Sequence, residues 1–149
     1  MKIAGTISGI LARKGSTVWS IAPAATVFDA ITLMADKNIG ALPVIDSNRL
    51  IGIISERDYT RKVILQGKSS QETRVEEIMT QDLVTADPTD TVVDCMRVMT
   101  EEHVRHLPVI KGAKIVGFLS IGDLVKHVIS CQSAAIAHLE HYIHGGYVG

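Results

Sequence analysis

The stretch Leu107–Ile110, with the sequence LPVI, is followed by Gly117–Asp123, with the sequence GFLSIGD, and these two segments decide the fold. Sixty-five positions earlier the chain has LPVI at Leu42–Ile45 and GIISERD at Gly52–Asp58. The two copies align without a gap, and each contains an apolar run, a helical pattern, two short apolar runs and a Ser-x-x-Asp sequence. A repeat this regular predicts two copies of one structural unit.

Composition is that of an ordinary soluble globular protein, with 149 residues, 46% hydrophobic and 21% charged. Because each copy has only about 50–60 residues, a size at which burial is marginal, we expect the copies to share one core. A formal net charge of -1 and 4% aromatic residues argue against nucleic acid as a partner. We find no transmembrane run or secretory signal and therefore expect no membrane partner and a cytoplasmic location.

The apolar periodicity predicts the element order β-α-β-β-α for each copy. In the first copy, Thr26 caps a helix whose apolar residues recur every three or four positions, and Gly40 permits the left-handed turn that ends it. The Val-, Ile- and Leu-rich runs that follow are predicted to be short strands covered by helices. The predicted segments are an extended stretch at 18–21, a helix at 26–38, strands at 41–45 and 50–54, and a helix opening at Ser55.

The second copy repeats this plan, with a strand at Leu83–Val84 and a helix that begins at Thr91. A hairpin turns at 111–113, and a further helix opens at Ser120. Before the first copy, Gly5, Gly9 and Gly15 are expected to interrupt any helix. After residue 130 an apolar stripe that includes Ile136 and Leu139 predicts an amphipathic helix. The predicted divisions are a lead-in at 1–15, a first unit at 16–66, a linker at 67–74, a second unit at 75–130, and a C-terminal helix and tail at 131–149.

Ser55 and Ser120 each stand three residues before an aspartate at the start of a predicted helix. Such a pair can form a capping box, in which the two side chains satisfy backbone amides. The same hydroxyl and helix amides could instead face a phosphate, while Asp58 or Asp123 accepts hydrogen bonds from ribose hydroxyls. The residues alone leave both interpretations open.

Other chemical motifs are incomplete. The sequence Gly67–Ser69 is part of a Walker motif, but the first glycine of that motif falls on Lys62. Cys95 falls on the core stripe of its helix and is interpreted as a buried, inert thiol, without the partners of a catalytic set. We therefore predict no catalytic residues and no metal site. A polar helix face explains the remaining histidines and cysteine more simply than a metal does, namely His127, Cys131, His138, His141 and His144.

These paired motifs resemble tandem cystathionine β-synthase (CBS) domains, in particular small stand-alone CBS-pair proteins. The resemblance covers roughly residues 14–130. It implies an α+β fold with two β-α-β-β-α CBS units, related by pseudo-twofold symmetry and packed as one CBS-pair module. It also implies a homodimer that packs disc to disc, and clefts between the units for AMP, ADP, ATP, NAD(H) or S-adenosylmethionine.

Carried across by position, the resemblance predicts two ligand clefts that differ in charge. We expect the Asp123 cleft to hold a compact phosphate, such as that of AMP, through Arg105 and Lys14. The Asp58 cleft is expected to admit a longer ligand, or the same nucleotide more weakly. One cleft would contain Gly40, Ala41, Ser55, Arg57, Asp58, Met79, Thr80 and Val84, and the other Lys14, Val18, Trp19, Arg105, His106, Ser120 and Asp123.

The predicted function is therefore a non-catalytic regulatory module that binds an adenine nucleotide, AMP foremost and NAD(H), ADP or ATP next. It would signal the energy or redox state of the cell to an effector protein. One alternative is an enzyme acting on a nucleotide, with Asp58 or Asp123 as general base. Another is a constitutive oligomeric scaffold whose clefts stay empty and whose C-terminal helix recruits a partner.

Overall fold

The computed structural model describes residues 5–15 and 17–132, and these fall into two compact units. The unit formed from 17–85 and 108–118 contains Asp58 and is called the Asp58 unit. The unit formed from the described residues 5–15, 86–107 and 119–132 contains Asp123 and is called the Asp123 unit. The helices are α1 (Ile7–Lys14), α2 (Val27–Lys37), α3 (Glu56–Tyr59), α4 (Val75–Ile78) and α5 (Val92–Glu102). Helix α3 continues as a π-helix at Thr60–Ile64. The strands are β1 (Ala41–Asp46), β2 (Arg49–Ser55), β3 (His106–Lys111) and β4 (Lys114–Ser120). Residues 121–132 are also helical.

Both predicted hairpins are present, because β1 pairs with β2 and β3 pairs with β4. The β1–β2 ladder is antiparallel, from Ala41 opposite Ser55 to Asp46 opposite Arg49. Its turn has two consecutive residues at positive φ, Ser47 at 52° and Asn48 at 65°. This is the backbone of a type I′ turn, whose twist matches that of the paired strands. The turn therefore sets the register of the two pairs beside it, and a register shift between Val44 and Ile45 changes the pairing in the rest of the ladder.

The helix α2 contributes one apolar face to the core of the Asp58 unit. Thr26 caps α2 by accepting a hydrogen bond from the Asp29 amide at 3.1 Å, as predicted. The helix ends at Asn38, which has φ of 55°. The prediction that Gly40 makes the left-handed turn was wrong, because asparagine tolerates this conformation and ends the helix two residues earlier. The buried cluster consists of Val27, Ala30, Met34, Leu42, Val44, Ile54, Val63, Val75 and Ile78.

The predicted first strands do not form regular strands. Ile21 makes only an isolated parallel bridge with Val44. Continuing that ladder would bring in Pro23, which has no amide hydrogen to donate, so the pairing stops. The stretch Leu83–Val84 is half-buried and has no regular secondary structure.

The expectation that glycines prevent a helix in the lead-in was also wrong, because α1 passes through Gly9. Glycine in a helix costs about 1 kcal/mol relative to alanine. The burial of Ile7 and Ile10 offsets this cost. The helix start is also held by the Ile7 amide, which donates to the Asp90 carbonyl at 2.9 Å. Tertiary contacts thus decide a segment whose local propensity is poor.

The polar linker at 67–74 supports the start of α2. The Val27 and Phe28 amides donate to the Thr73 and Ser70 carbonyls at 2.8 and 2.9 Å. These bonds satisfy amides that no residue within the helix can satisfy. Thr73 is buried, and its hydroxyl donates to the Ser69 carbonyl at 2.7 Å. The linker is therefore a packed part of the Asp58 unit.

The Asp123 unit has a corresponding arrangement. Thr91 caps α5 by accepting from the Asp94 amide at 3.1 Å, and it also bridges to Thr6, the residue that precedes α1. In the Asp58 unit, Thr26 bridges to Arg74, which precedes α4. The short helix α1 thus has the same role in one unit as α4 in the other. Buried apolar side chains of this unit include Ile7, Ile10, Val92, Met99, Leu107, Leu119 and Leu124.

Cys95 lies within this buried set, with 2% of its surface exposed. Burial, and to a lesser extent the charges of Asp90 and Asp94, raise the pKa of its thiol to about 11. The prediction of a buried thiol is confirmed.

The predicted C-terminal helix, with Ile136, Leu139 and the histidines His138, His141 and His144, lies outside the described residues beyond position 132. Among the residues that the structure does describe, no helix has the length and apolar character needed to span a bilayer.

Candidate functional site

Asp58 forms a capping box at the start of α3. Its Oδ2 accepts hydrogen bonds from the amide and the hydroxyl of Ser55, both at 3.0 Å, and the Ser55 hydroxyl accepts from the Asp58 amide at 3.1 Å. Its Oδ1 accepts from the Thr80 hydroxyl at 3.2 Å and lies 3.0 Å from Lys62 Nζ. Only 9% of the Asp58 side chain is exposed. Both carboxylate oxygens are therefore engaged by the Asp58 unit itself.

Of the other residues predicted for this cleft, Ala41 pairs with Ser55 across the hairpin, and Met79 and Thr80 lie beside β2. The amides of Ile53 and Thr80 each donate to the other residue's carbonyl, at 2.9 and 2.8 Å. Met79 packs against Gly52, where an added Cβ would lie 2.7 Å from the Met79 sulfur. Ala41 is buried in β1, and the remaining members are an exposed Arg57 and a half-buried Val84.

Lys62 was missed in the sequence analysis. It lies one turn after Asp58, and its ammonium also donates to the Ile78 carbonyl at 2.9 Å. The spacing of an acid and a base four residues apart on one helix face could have identified it.

A groove of ≈ 450 Å³ lies beside Gly40, between the end of α2 and the start of α3. Gly40 is held there because its carbonyl accepts from the Glu56 amide at 3.0 Å. Glu56 is the one charged side chain among the described residues that line this groove. Such a wall repels a phosphate, so the groove fits an uncharged or apolar group. Its lining comprises Ile31, Met34, Ala35, Asn38, Ile39, Gly40, Glu56, Tyr59 and Thr60.

Asp123 has the same capping geometry and a different partner. Its Oδ2 accepts from the Ser120 amide at 2.8 Å and from Lys14 Nζ at 2.6 Å, and the Ser120 hydroxyl accepts from the Asp123 amide at 3.1 Å. Burial raises the pKa of Asp123, but the bonds from Lys14 and Ser120 outweigh it and hold the pKa below its usual value. Because 23% of the side chain is exposed, this ionised carboxylate is accessible to a ligand.

Arg105 and His106 lie close to Asp123. The Arg105 carbonyl accepts from the Ile121 amide at 2.8 Å, which fixes it at the start of the 121–132 helix. Burial, followed by the charges of Lys14 and Arg105, lowers the pKa of His106 to about 4, although the charge of Asp123 opposes this shift. The imidazole is therefore neutral at pH 7. Lys14, Arg105, His106, Ser120 and Asp123 thus form one polar cluster within the Asp123 unit.

Val18 and Trp19, predicted for the same cleft, belong to the Asp58 unit. The indole of Trp19 is 43% exposed, and Lys37 Nζ lies 4.2 Å from its ring centroid, a cation–π contact. Their participation in the Asp123 site stays a prediction.

A second groove, of ≈ 350 Å³, lies in the Asp123 unit between α1 and the 121–132 helix. We call it the α1 groove. Arg13, Lys126 and His127 line it together with Lys14 and Asp123. The first three were not predicted as site residues, although Lys126 and His127 follow Asp123 at the spacing of one helix face. In the part of the chain that the structure describes, no group of three or more His, Cys, Asp or Glu side chains could hold a metal ion.

Comparisons with known proteins agree with this architecture. The sequence profile of the CBS domain matches residues 15–64 and 75–130. The chain is 41% identical to the mitochondrial CBS domain-containing protein CBSX3 of Arabidopsis thaliana, over 95% of this chain and 73% of that protein.

Solved structures give the same result. A protein from Burkholderia ambifaria MC40-6, described as a signal-transduction protein with CBS domains, is 49% identical with a TM-score of 0.82, over 85% of this chain and 95% of that one. The CBS domain structure of NE2398 is 47% identical with a TM-score of 0.81, over 84% of this chain and 98% of that one. The predicted α+β fold of two CBS repeats is thereby confirmed. The chain belongs to the CBS domain family.

Proposed function

We propose that the chain is a non-catalytic regulatory module that binds an adenosine-containing nucleotide at Asp123 and signals its level to an effector protein. Asp123 accepts the ribose hydroxyls, and Lys14 and Arg105 pair with the first phosphate. AMP is the smallest nucleotide with both features, and ADP, ATP and NAD(H) share them.

The observation that carries this proposal is the difference between the two aspartates. The Asp123 side chain is 23% exposed, against 9% for Asp58, so a ribose hydroxyl can reach the Asp123 carboxylate while the capping box stays intact. At Asp58 both oxygens already have partners. A ligand there must displace Thr80 or Lys62, and we expect it to bind more weakly.

A relative with the same fold supports the ligand class. The CBS domain pair of protein MJ0100, with a TM-score of 0.73, was solved in complex with 5′-methylthioadenosine and S-adenosyl-L-methionine. At 24% identity the likeness concerns the fold, and the ligands are those of that protein. They are nevertheless adenosine compounds without a phosphate, so the ligand panel below includes S-adenosylmethionine.

Calorimetry with AMP, ADP, ATP, NAD, NADH and S-adenosylmethionine tests the proposal on the wild type, Asp123→Asn and Asp58→Asn. We expect Asp123→Asn to weaken nucleotide binding at least tenfold, since a charged hydrogen-bond acceptor is lost. Asp94→Asn, on the exposed face of α5, is the matched control. Undiminished binding by Asp123→Asn would refute the site, and catalytic turnover of any of these compounds would favour the enzyme alternative.

We further propose that the module is a homodimer. Four of the exposed large apolar residues in the described part of the chain form two pairs at equivalent repeat positions: Phe28 and Val93 are 46% and 39% exposed, and Ile64 and Ile129 are 53% and 56% exposed. Surface that is apolar in both copies suits a self-complementary contact. Light scattering of Ile129→Ser tests this, because a monomeric wild type, or a variant that dimerises equally well, contradicts it. Since one relative is labelled mitochondrial, the cytoplasmic location stays a prediction.

A further inference from the structure

The α1 groove has a charge pattern that the capping box at Asp123 does not require. Arg13 and Lys14 come from the last turn of α1, and Lys126 comes from the facing helix. Among the described residues that line the groove, these three cations outnumber Asp123, the one carboxylate. Because Lys14 is paired with Asp123 at 2.6 Å, the excess positive charge belongs to Arg13 and Lys126.

Helix energetics explain only part of this pattern. Cations in the last turn of α1 interact favourably with the negative end of the helix dipole, which accounts for Arg13 and Lys14. Lys126 lies within the 121–132 helix, and the dipole of α1 does not explain its position. Arg13 forms a hydrogen bond with His127 Nδ1, and both residues line the groove. This bond orients the guanidinium along the groove wall.

We propose that the α1 groove binds a chain of two or more phosphates through Arg13 and Lys126. This inference rests on the proposed function, because the phosphate chain then belongs to a nucleotide whose ribose is held by Asp123. The first phosphate lies at Lys14, and the following ones extend along the groove. A guanidinium matches phosphate oxygens in a bidentate manner, and an ammonium adds a compact charge. The ligand class favoured is therefore a nucleoside diphosphate, triphosphate or dinucleotide.

The volume of the groove agrees with such an occupant. At ≈ 350 Å³ it lies near the lower end of the range typical of small-molecule sites. Asp123 repels phosphate oxygens and accepts hydroxyls, so it fixes the direction of the ligand. The sugar then lies at Asp123, and the terminal phosphates lie towards Arg13 and Lys126.

Calorimetric titrations with adenosine, AMP, ADP, ATP and inorganic tripolyphosphate distinguish the phosphates from the nucleoside. We expect the wild type to bind ATP at least tenfold more tightly than AMP. Arg13→Gln and Lys126→Ala should each weaken ATP binding about tenfold and leave adenosine and AMP within twofold. Lys68→Ala, which removes the same charge from an exposed linker position, is the matched control and should change nothing. Circular dichroism verifies that each variant is folded.

The outcomes separate this inference from the proposed function. Nucleotide binding that is indifferent to Arg13→Gln and Lys126→Ala, or that weakens equally for AMP and ATP, overturns the groove and leaves the nucleotide proposal standing. Tripolyphosphate binding that the double variant abolishes, without any nucleotide binding, supports the groove and overturns the nucleotide proposal. If neither tripolyphosphate nor nucleotide binds, both are wrong.

Discussion

Asp58 and Lys62 form an ion pair at 3.0 Å within one helical segment, whereas the equivalent aspartate of the second copy takes its lysine from α1. The position equivalent to Lys62 is His127, which contacts Arg13. Exchanging a local lysine for a distant one changes the role of the carboxylate. Asp58 is buried with both oxygens engaged, while Asp123 is partly exposed and bordered by a basic groove. Duplication thus kept the capping box and altered its surroundings.

The Asp58–Lys62 pair is expected to stabilise its unit. Lys62→Met should lower the free energy of unfolding by about 1–2 kcal/mol, because Asp58 is left buried with fewer partners. Arg97→Met is the matched control, since the Arg97–Asp94 pair has the same 3.0 Å separation but both side chains are more than half exposed. An exposed pair of this kind contributes less than about 1 kcal/mol. Urea unfolding measures both, and equal losses would contradict the prediction.

The stability of the protein should decrease as the pH is lowered from 6.5 towards 4, because of His106. The pKa of His106 is lowered from 6.5 to about 4 in the folded state, so between these values the unfolded chain binds more protons than the folded one. Stability from this group is complete above pH 6.5 and decreases as the pH falls towards 4, by on the order of 1 kcal/mol per pH unit. Urea unfolding at pH 7, 5.5 and 4.5 measures this slope, and His106→Gln should reduce it. Parallel slopes for the two proteins would disprove the assignment.

The two cysteines should differ in reactivity. Cys95 is buried, and its raised pKa keeps the thiol protonated at neutral pH. Cys131 is only half-buried, and its sulfur lies 3.4 Å from His127 Nε2. Under native conditions a thiol reagent should modify Cys131 first, and Cys95 should react only after unfolding. Mass spectrometry of the labelled peptides checks the order, with Cys131→Ser as the control that removes the fast phase. Fast labelling of Cys95 would be incompatible with the described core.

Local sequence signals account for the parts of the fold that were predicted correctly. Thr26 and Thr91 cap their helices because a threonine hydroxyl satisfies an amide three residues on, and the hairpins follow from their turn residues. These interactions span only a few positions, so a sequence contains them in full. The capping boxes at Ser55 and Ser120, one of the two interpretations that the residues left open, are equally local.

Features that depend on distant residues were predicted less fully. The helix α1 forms despite Gly9 because Ile7 and Ile10 are buried, and their helical three-residue spacing was overlooked in favour of the glycines. The bond from Lys14 to Asp123, 109 positions away, agrees with the cleft that the family resemblance predicted, although neither copy alone indicates it. The basic α1 groove combines side chains from both ends of the chain, so only the folded structure brings it together.

Gly52 and Gly9 provide a last, paired test of packing. At Gly52 an added Cβ would lie 2.7 Å from the Met79 sulfur and 3.1 Å from the Thr80 carbonyl oxygen. Met79 can move, but the Thr80 carbonyl is fixed by its bond from Ile53. We therefore expect Gly52→Ala to lower the free energy of unfolding by about 1–3 kcal/mol, as overpacking does.

At Gly9, by contrast, nothing lies within 4 Å of an added Cβ, and the residue is inside a helix. Gly9→Ala should raise the free energy of unfolding by up to about 1 kcal/mol, because alanine loses less conformational entropy. Urea unfolding of the two variants should therefore shift in opposite directions. Since the position of Thr80 also determines its bond to Asp58, a tolerated Gly52→Ala would mean that this carboxylate is held less tightly than the described packing requires.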